Sequence, residues 1–171
     1  LSRNWLAKVV ANIYIEFIRG TPLFVQAFIV FFGTQILGLD LSAFVAGAIA
    51  MAINSGAYVA EIIRGGINSV PVGQTEAARS LGLHQSQAMR YVILPQAMKN
   101  IWPALGNEFV TDIKESSVLS VIGATELMFE GTVVQGASFK PFLPLVVVAI
   151  LYFIMTFTLS RLLRLIEKRF N

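Results

Sequence analysis

Four stretches of this chain are long and apolar enough to cross a lipid bilayer, and its lysines and arginines gather on alternate connecting segments. A spanning helix needs about 20 mostly apolar residues. The candidates run over residues 22–39 (PLFVQAFIVFFGTQILGL), 42–63 (SAFVAGAIAMAINSGAYVAEII), 101–119 (IWPALGNEFVTDIKESSVL) and 142–163 (FLPLVVVAILYFIMTFTLSRLL). Only 13% of the 171 residues are charged and 56% are hydrophobic, whereas a soluble domain carries about 25% charge. The pattern predicts an all-α, polytopic membrane helix bundle forming a single domain over residues 1–171.

The basic residues orient the bundle. Arg3, Lys8 and Arg19 precede the first span; Arg64, Arg79, Arg90 and Lys99 lie between the second and third; Arg161, Arg164, Lys168 and Arg169 lie at or beyond the end of the fourth. The link near Asp40 has no Lys or Arg, and only Lys140 separates the third and fourth spans. Positive charge marks the cytoplasmic side, and an alternating topology places all three basic regions there. Residues 1–20 are amphipathic and suited to lie along the membrane surface. The RGTP segment, residues 19–22, then turns into the first span, since proline suits a helix start.

Several chemistries are excluded. There are no cysteines, hence no disulfides, thiolate metal sites or thiol nucleophiles. His84 is the one histidine and is expected to be a solvated loop residue. The net charge of +3 comes without a basic run interleaved with aromatics, which argues against nucleic acid as a partner. No HExxH, GxSxG or paired-aspartate motif occurs, and no GxxxxGK[ST] phosphate loop. The chain is therefore expected not to be an enzyme and to need no cofactor or metal of its own. If it moves a solute uphill, another chain must bind ATP and Mg and hydrolyse the ATP. Leu1 opens no recognisable signal peptide.

The second span is rich in small residues: Ala43, Ala46, Gly47, Ala50, Ala52, Gly56 and Ala60. Such residues let helix backbones approach closely in a membrane. The same span carries Asn54, Ser55 and Tyr58, of which Asn54 and Tyr58 share a face at i, i+4. These polar groups either line a solute path or satisfy one another between helices. The third span is unusual in its charge. Glu108, Asp112 and Glu115 fall at i, i+4 and i+7, on one helix face. Either the span ends early and these carboxylates are solvated at the interface, or they line a solute path, the default meaning of charge inside a membrane. Three carboxylates against Lys114 favour a solute with a positive group, which every amino acid has. An ion or proton relay, in a channel or an ion-coupled secondary transporter, would use the same residues.

The longest polar stretch, residues 70–97, lies on the cytoplasmic side. Pro71 and Gly73 make a turn, residues 74–81 favour a helix with Glu76 near its positive start, and Gly82 ends it. A second helical run follows over residues 85–92, and Pro95 marks the next boundary. On physical grounds this hairpin is either a linker or a docking element.

The stretch reads Glu76-Ala77-Ala78, three residues, Gly82, nine residues, then Val92-Ile93-Leu94-Pro95. This resembles the EAA motif of the membrane subunits of bacterial ABC importers, EAA-x3-G-x9-I-x-LP, with Val92 where isoleucine is usual. Residues 14–33 (YIEFIRGTPLFVQAFIVFFG) and 107–123 (NEFVTDIKESSVLSVIG) are similar to the polar amino acid permeases of that family, and the resemblance covers nearly the whole chain. It implies a type I ABC importer transmembrane domain in the bacterial inner membrane. Glu76, Ala77, Ala78, Arg79, Leu81 and Gly82 would form a cytoplasmic coupling helix seated in the ATPase. The implied partners are ATP-binding cassette ATPase subunits, a second permease subunit (the same chain or a sister), an extracytoplasmic solute-binding protein, membrane lipid and a polar amino acid. Asn54, Ser55, Tyr58, Glu108, Asp112 and Glu115 are then the candidate solute path. Permeases of this type have five spans, so the first is expected to be missing from this chain. Arginine, another cationic amino acid and glutamine all remain open as the solute.

Overall fold

The computed structural model describes residues 4–167; Arg3, Lys168 and Arg169, three of the residues that orient the bundle, lie outside them. The described residues form helices and connecting turns, with no strand. In order they are α1 (Trp5–Arg19), α2 (Leu23–Ile36), α3 (Ala43–Asn68), α4 (Val72–Ser80), α5 (Gln85–Ala88), α6 (Leu94–Glu115), α7 (Leu127–Ser138) and α8 (Leu143–Glu167). A π turn (Met89–Ile93) joins α5 to α6, and a 3₁₀ turn (Ser116–Ile122) extends α6.

Two of the four expected spans are single long helices. At 1.5 Å per residue α3 is about 39 Å long and α8 about 37 Å, enough for a hydrocarbon layer of about 30 Å. The first expected span is different: α2 has 14 residues, about 21 Å, and meets α1 at 108°. The break is chemical. Thr21 turns its hydroxyl back onto the Phe17 carbonyl at 2.9 Å, and Pro22 has no N–H to continue the ladder. Pro22 is the N-cap of α2, one residue before its first turn. Helix α1 packs against α3, with the Tyr14 hydroxyl donating to the Ile53 carbonyl at 2.6 Å.

The third span starts far earlier than the apolar pattern implies. Helical structure is continuous from Gln85 to Ile122, so the expected second helix of the loop is the beginning of this span, and Pro95 does not end it. Pro95 follows the π turn directly, at the second residue of α6, so its missing N–H falls where the bonding pattern is already shifting. The π turn before it, closed by Leu94 N–H to the Met89 carbonyl, widens the helix where the ring must fit. Beyond Ile122 the chain bends by 50° into α7, a 12-residue helix that the hydropathy pattern did not separate. Glu126 caps it, accepting from Met128 N–H at 2.8 Å and Phe129 N–H at 2.6 Å.

The packing is built on small side chains. Ala27, Ala46, Ala50, Ala57, Ala88 and Ala97 have no exposed surface, and no large side chain reaches that level of burial. On α3 the buried face is Ala46, Gly47, Ala50, Asn54, Ala57 and Gly66; Ala52 and Gly56, also in the small-residue pattern, point outward. Close approach is tightest where two glycines meet branched side chains. A Cβ on Gly66 would stand 2.2 Å from Ile101 Cγ1, and one on Gly131 would stand 2.4 Å from Val148 Cγ2. Both distances are far inside van der Waals contact, so α3 meets α6, and α7 meets α8, only because these positions lack a side chain.

Gly66→Ala is expected to destabilise the bundle by about 1–3 kcal/mol, the usual cost of overpacking. Thermal unfolding of the detergent-solubilised protein reads it, and adding Ile101→Ala should recover part of the loss. An unchanged midpoint for Gly66→Ala would show that α3 and α6 are not this close.

Candidate functional site

The first candidate region is the turn of chain between α3 and α6. Helix α4 begins at Val72, two residues earlier than expected, which moves Glu76 into the second turn; no acidic residue occupies the first. The dipole argument for Glu76 therefore does not apply, because that effect fades beyond the first turn. The end of the helix is as the glycine implies. Gly82 has φ +85°, Gly82 N–H donates to the Arg79 carbonyl at 3.0 Å and Leu83 N–H to the Ala78 carbonyl at 3.2 Å. This bond pair closes a helix through a left-handed residue, a conformation glycine adopts without a Cβ penalty. His84 then starts α5, its backbone N–H donating to Gln87 Oε1 at 2.8 Å.

Of the six residues expected to act in coupling, Ala78 faces inward and is 3% exposed. It seats α4 on the bundle, helped by Gln96 Nε2 donating to Gln74 Oε1 at 3.2 Å. Glu76, Ala77, Arg79, Leu81 and Gly82 are exposed, and Leu81 keeps 84% of its surface open. The result is a short helix with one buried alanine as its foot and an outer face of mixed charge and one large aliphatic group.

The second candidate region lies where α1 breaks into α2. Asn54, on α3, is 4% exposed and Gln26, on α2, 6%. Asn54 Nδ2 donates to Gln26 Oε1 at 3.0 Å. Gln26 Nε2 in turn donates to the Ile18 carbonyl at 2.8 Å, the Thr21 carbonyl at 3.0 Å and Thr21 Oγ1 at 2.8 Å. One buried amide thus supplies a donor to the Thr21 carbonyl and reinforces the Ile18 carbonyl, which otherwise has only long bonds of 3.4 Å from Thr21. Beside it opens a cleft of 330 Å³ walled by Arg19, Thr21, Pro22, Asn54, Tyr58 and Glu115. Arg19 lies over the Tyr58 ring at 5.4 Å, within range of a cation–π attraction.

The three carboxylates of the third span do not converge. Glu115 lines the cleft beside Arg19. Asp112 accepts from Ser55 Oγ at 2.8 Å and faces a second cleft of 340 Å³, which it shares with Met51, Ser116, Glu126, Tyr152 and Met155. Glu108 lines neither. The three share one face but are spread over about 10 Å of the helix axis, so each meets different neighbours. Asn54 and Ser55 both hold α3 to other helices, and Asn54 is also exposed to the first cleft.

Several polar residues here carry no motif. Gln26 was detectable as the one amide within the apolar run LFVQAF, since a polar residue inside a span is a functional flag. Glu126 and Tyr152, hydrogen-bonded at 2.8 Å, are 26 residues apart in sequence, and nothing in the pattern pairs them. In the sequence Arg19 and Arg64 serve only as orienting charges, and nothing singles out Glu61. In the fold Arg64 donates through Nε to Glu61 Oε2 at 2.9 Å and through Nη2 to Oε1, while Arg19 stands 3.7 Å from the same carboxylate.

Gln26→Leu is expected to cost about 1–3 kcal/mol, because it strands the Asn54 amide and removes the Gln26 bond to the Thr21 carbonyl in a buried site. Asn54→Leu added to it should cost less than its effect alone, since the two amides act as a unit. Additive losses in thermal unfolding would show that the pair is not coupled.

Comparison with known proteins bears on both regions. Residues 1–171 match the family model described as "Binding-protein-dependent transport system inner membrane component". The glutamine transport system permease protein GlnP of Escherichia coli (strain K12) is 41% identical over 97% of this chain and 77% of its own length. A chain from the crystal structure of an amino acid ABC transporter with histidines superposes with a TM-score of 0.93 at 52% identity, covering 98% of this chain and 78% of that one. The inward-facing MetNI methionine ABC transporter gives a TM-score of 0.79 at 21% identity, covering 97% and 76%, a likeness of fold alone.

Proposed function

Because the chain belongs to the binding-protein-dependent transport system inner membrane components, we propose that its own cargo is glutamine or a closely similar neutral polar amino acid. Membership makes it a membrane-spanning permease subunit of an ABC importer for polar amino acids, with ATP hydrolysis on a separate chain. The glutamine assignment rests on the E. coli relative and on the cleft. Asp112 is engaged by Ser55, and the Glu115 side of the cleft is matched by Arg19, so the excess of negative charge counted along the sequence does not reach the solute. That removes the main reason to prefer arginine.

The observation that carries the mechanism is the continuity of α3. Its middle supplies Asn54 and Tyr58 to the cleft, and it runs unbroken to Asn68, with three residues between it and the start of α4 at Val72. A helix pulled at α4 therefore moves one wall of the cleft. In this reading the exposed face of α4 (Glu76, Ala77, Arg79, Leu81 and Gly82, with Ala78 as its foot) seats in the ATPase. ATP-driven closure of the ATPase pair then shifts α3 against the α1–α2 break, and the cleft opens alternately to the two sides. Of the six candidates, Asn54, Tyr58 and Glu115 line the proposed path; Asp112, bonded to Ser55, bounds the neighbouring cleft, and Glu108 lines neither. A second permease subunit completes the membrane core, and an extracytoplasmic binding protein delivers the solute. The positive-inside bias of the basic residues supports a cytoplasmic position for residues 70–97 and the end of α8.

Co-reconstitution of the permease with the ATPase and binding protein of its own gene cluster tests the cargo. Glutamine should stimulate ATP hydrolysis well above arginine and histidine; stimulation by arginine alone would overturn the neutral cargo. The coupling helix is tested separately. Gly82→Pro cannot adopt φ +85°, and Glu76→Lys reverses an exposed charge. Both variants should insert in the membrane yet lose solute stimulation, falling to the unstimulated rate. Normal uptake by both would remove α4 from the coupling path.

A further inference from the structure

We propose that the cleft between α6 and the end of α8 holds the headgroup of a phospholipid bearing a primary ammonium, with the phosphate at Arg164 and the ammonium at Glu167. The cleft has a volume of 120 Å³ and is bounded by Trp102 and Asn107 on α6 and by Ser160, Leu163, Arg164 and Glu167 on α8. Its floor is apolar. A Cβ on Gly106 would stand 3.4 Å from Leu163 Cδ1, so the two helices touch there. The volume is well below the roughly 300–1,000 Å³ of sites that enclose a whole small molecule. It suits one end of a ligand whose remainder lies outside the cleft.

The depth is that of a headgroup. At 1.5 Å per residue Arg164 lies about 32 Å along α8 from Leu143, where a hydrocarbon layer of about 30 Å ends. On α6, Ile101 packs on Gly66, in the last turn of α3. Trp102 follows Ile101, and tryptophan is enriched at this level of a membrane. Leu162, Leu165 and Ile166, around Arg164, are exposed and offer acyl chains an apolar surface beside the cleft.

The polar groups of the cleft are unspent. Among the described residues Arg164 and Glu167 make no ion pair or hydrogen bond, with each other or with a neighbour. Thr156, one turn before Ser160, turns its hydroxyl onto the Tyr152 carbonyl at 2.8 Å; the Ser160 hydroxyl makes no such bond. A guanidinium fork matches two phosphate oxygens with parallel bonds, and the Ser160 hydroxyl and Asn107 amide add donors. Glu167 decides which phospholipid fits. Residues three apart on a helix stand about 5–6 Å apart at Cβ, so a phosphate at Arg164 lies beside the Glu167 carboxylate. That carboxylate repels a headgroup carrying only negative charge. It accepts from an ammonium joined to the phosphate by a short link, and a quaternary ammonium has no N–H to give it. Arg161 lies over the Phe157 ring at 5.0 Å and does not line the cleft.

The test is native mass spectrometry of the assembled permease–ATPase complex in detergent. It is titrated with phosphatidylethanolamine, phosphatidylcholine and phosphatidylglycerol of identical acyl chains. The wild type should bind phosphatidylethanolamine about tenfold more tightly than either of the others, the range expected for hydrogen bonds to a charged group. Glu167→Gln should bring the three affinities together, and Arg164→Gln should weaken all three. Arg161→Gln, which removes the same charge outside the cleft, should leave the preference intact. The preference is a ratio within each variant, so a general loss of lipid affinity does not imitate it. Equal affinities in the wild type, or a preference that survives Glu167→Gln, would overturn the proposal. Displacement of the bound lipid by soluble glycerophosphoethanolamine at matched concentration would overturn it too, because the site would then read a free headgroup rather than a membrane lipid.

Discussion

A polar group inside a bilayer has only the protein to bond to, and the architecture follows from meeting that demand. Every break in a helix frees backbone carbonyls that water cannot reach. At the α1–α2 break the Gln26 amide donates to the Ile18 and Thr21 carbonyls, and Asn54 occupies its remaining oxygen. At the entry to α7, Glu126 accepts two backbone N–H groups and the Tyr152 hydroxyl. Thr21, Thr34, Thr111 and Thr156 turn their hydroxyls onto carbonyls of the preceding turn. Among the described residues no buried side-chain nitrogen or oxygen lacks a partner. Gln26 and Glu126 thus sit where the backbone is irregular, while the threonines bond along regular turns.

The same groups create the site. A straight span would present lipid-facing side chains and a closed backbone. A span broken at Gly20–Pro22 presents a corner, and the corner is where a polar space can open beside α3. The alanine and glycine surfaces then set how near the helices come. With Gly66 under Ile101 and Gly131 under Val148, the helices sit too close for independent adjustment, so displacement at one end of α3 is carried along it. In the proposed mechanism this links the exposed α4 to the cleft at the α1–α2 corner without a dedicated chain of contacts.

Much of this was legible along the chain. Length and hydropathy located the starts of α3 and α8 to within one residue and placed their ends five and four residues short. The basic residues sorted the connecting segments, and Gly82 announced a left-handed turn because few other residues tolerate one. The EAA spacing around Glu76 and Gly82 carried the family. Other features were not legible, for a common reason: each depends on pairs far apart in sequence. Continuity through Pro95 required the π turn before it. The division of Glu108, Asp112 and Glu115 between different surfaces required the positions of the neighbouring helices. The partnerships of Gln26 with Asn54 and of Glu126 with Tyr152 have no local signature.

By itself the sequence determined that this is a membrane helix bundle with a polar loop on its basic side, because hydrophobicity, charge asymmetry and glycine stereochemistry are properties of single residues and short windows. The tertiary structure alone decided which charges face which. Arg19 and Glu115 are 96 positions apart in the chain and become opposing walls of one cleft only when the α1–α2 corner and α6 are brought against the same helix. Whether a charge is an orienting anchor or a solute contact depends on the partners within a few ångströms, and those partners are fixed by packing.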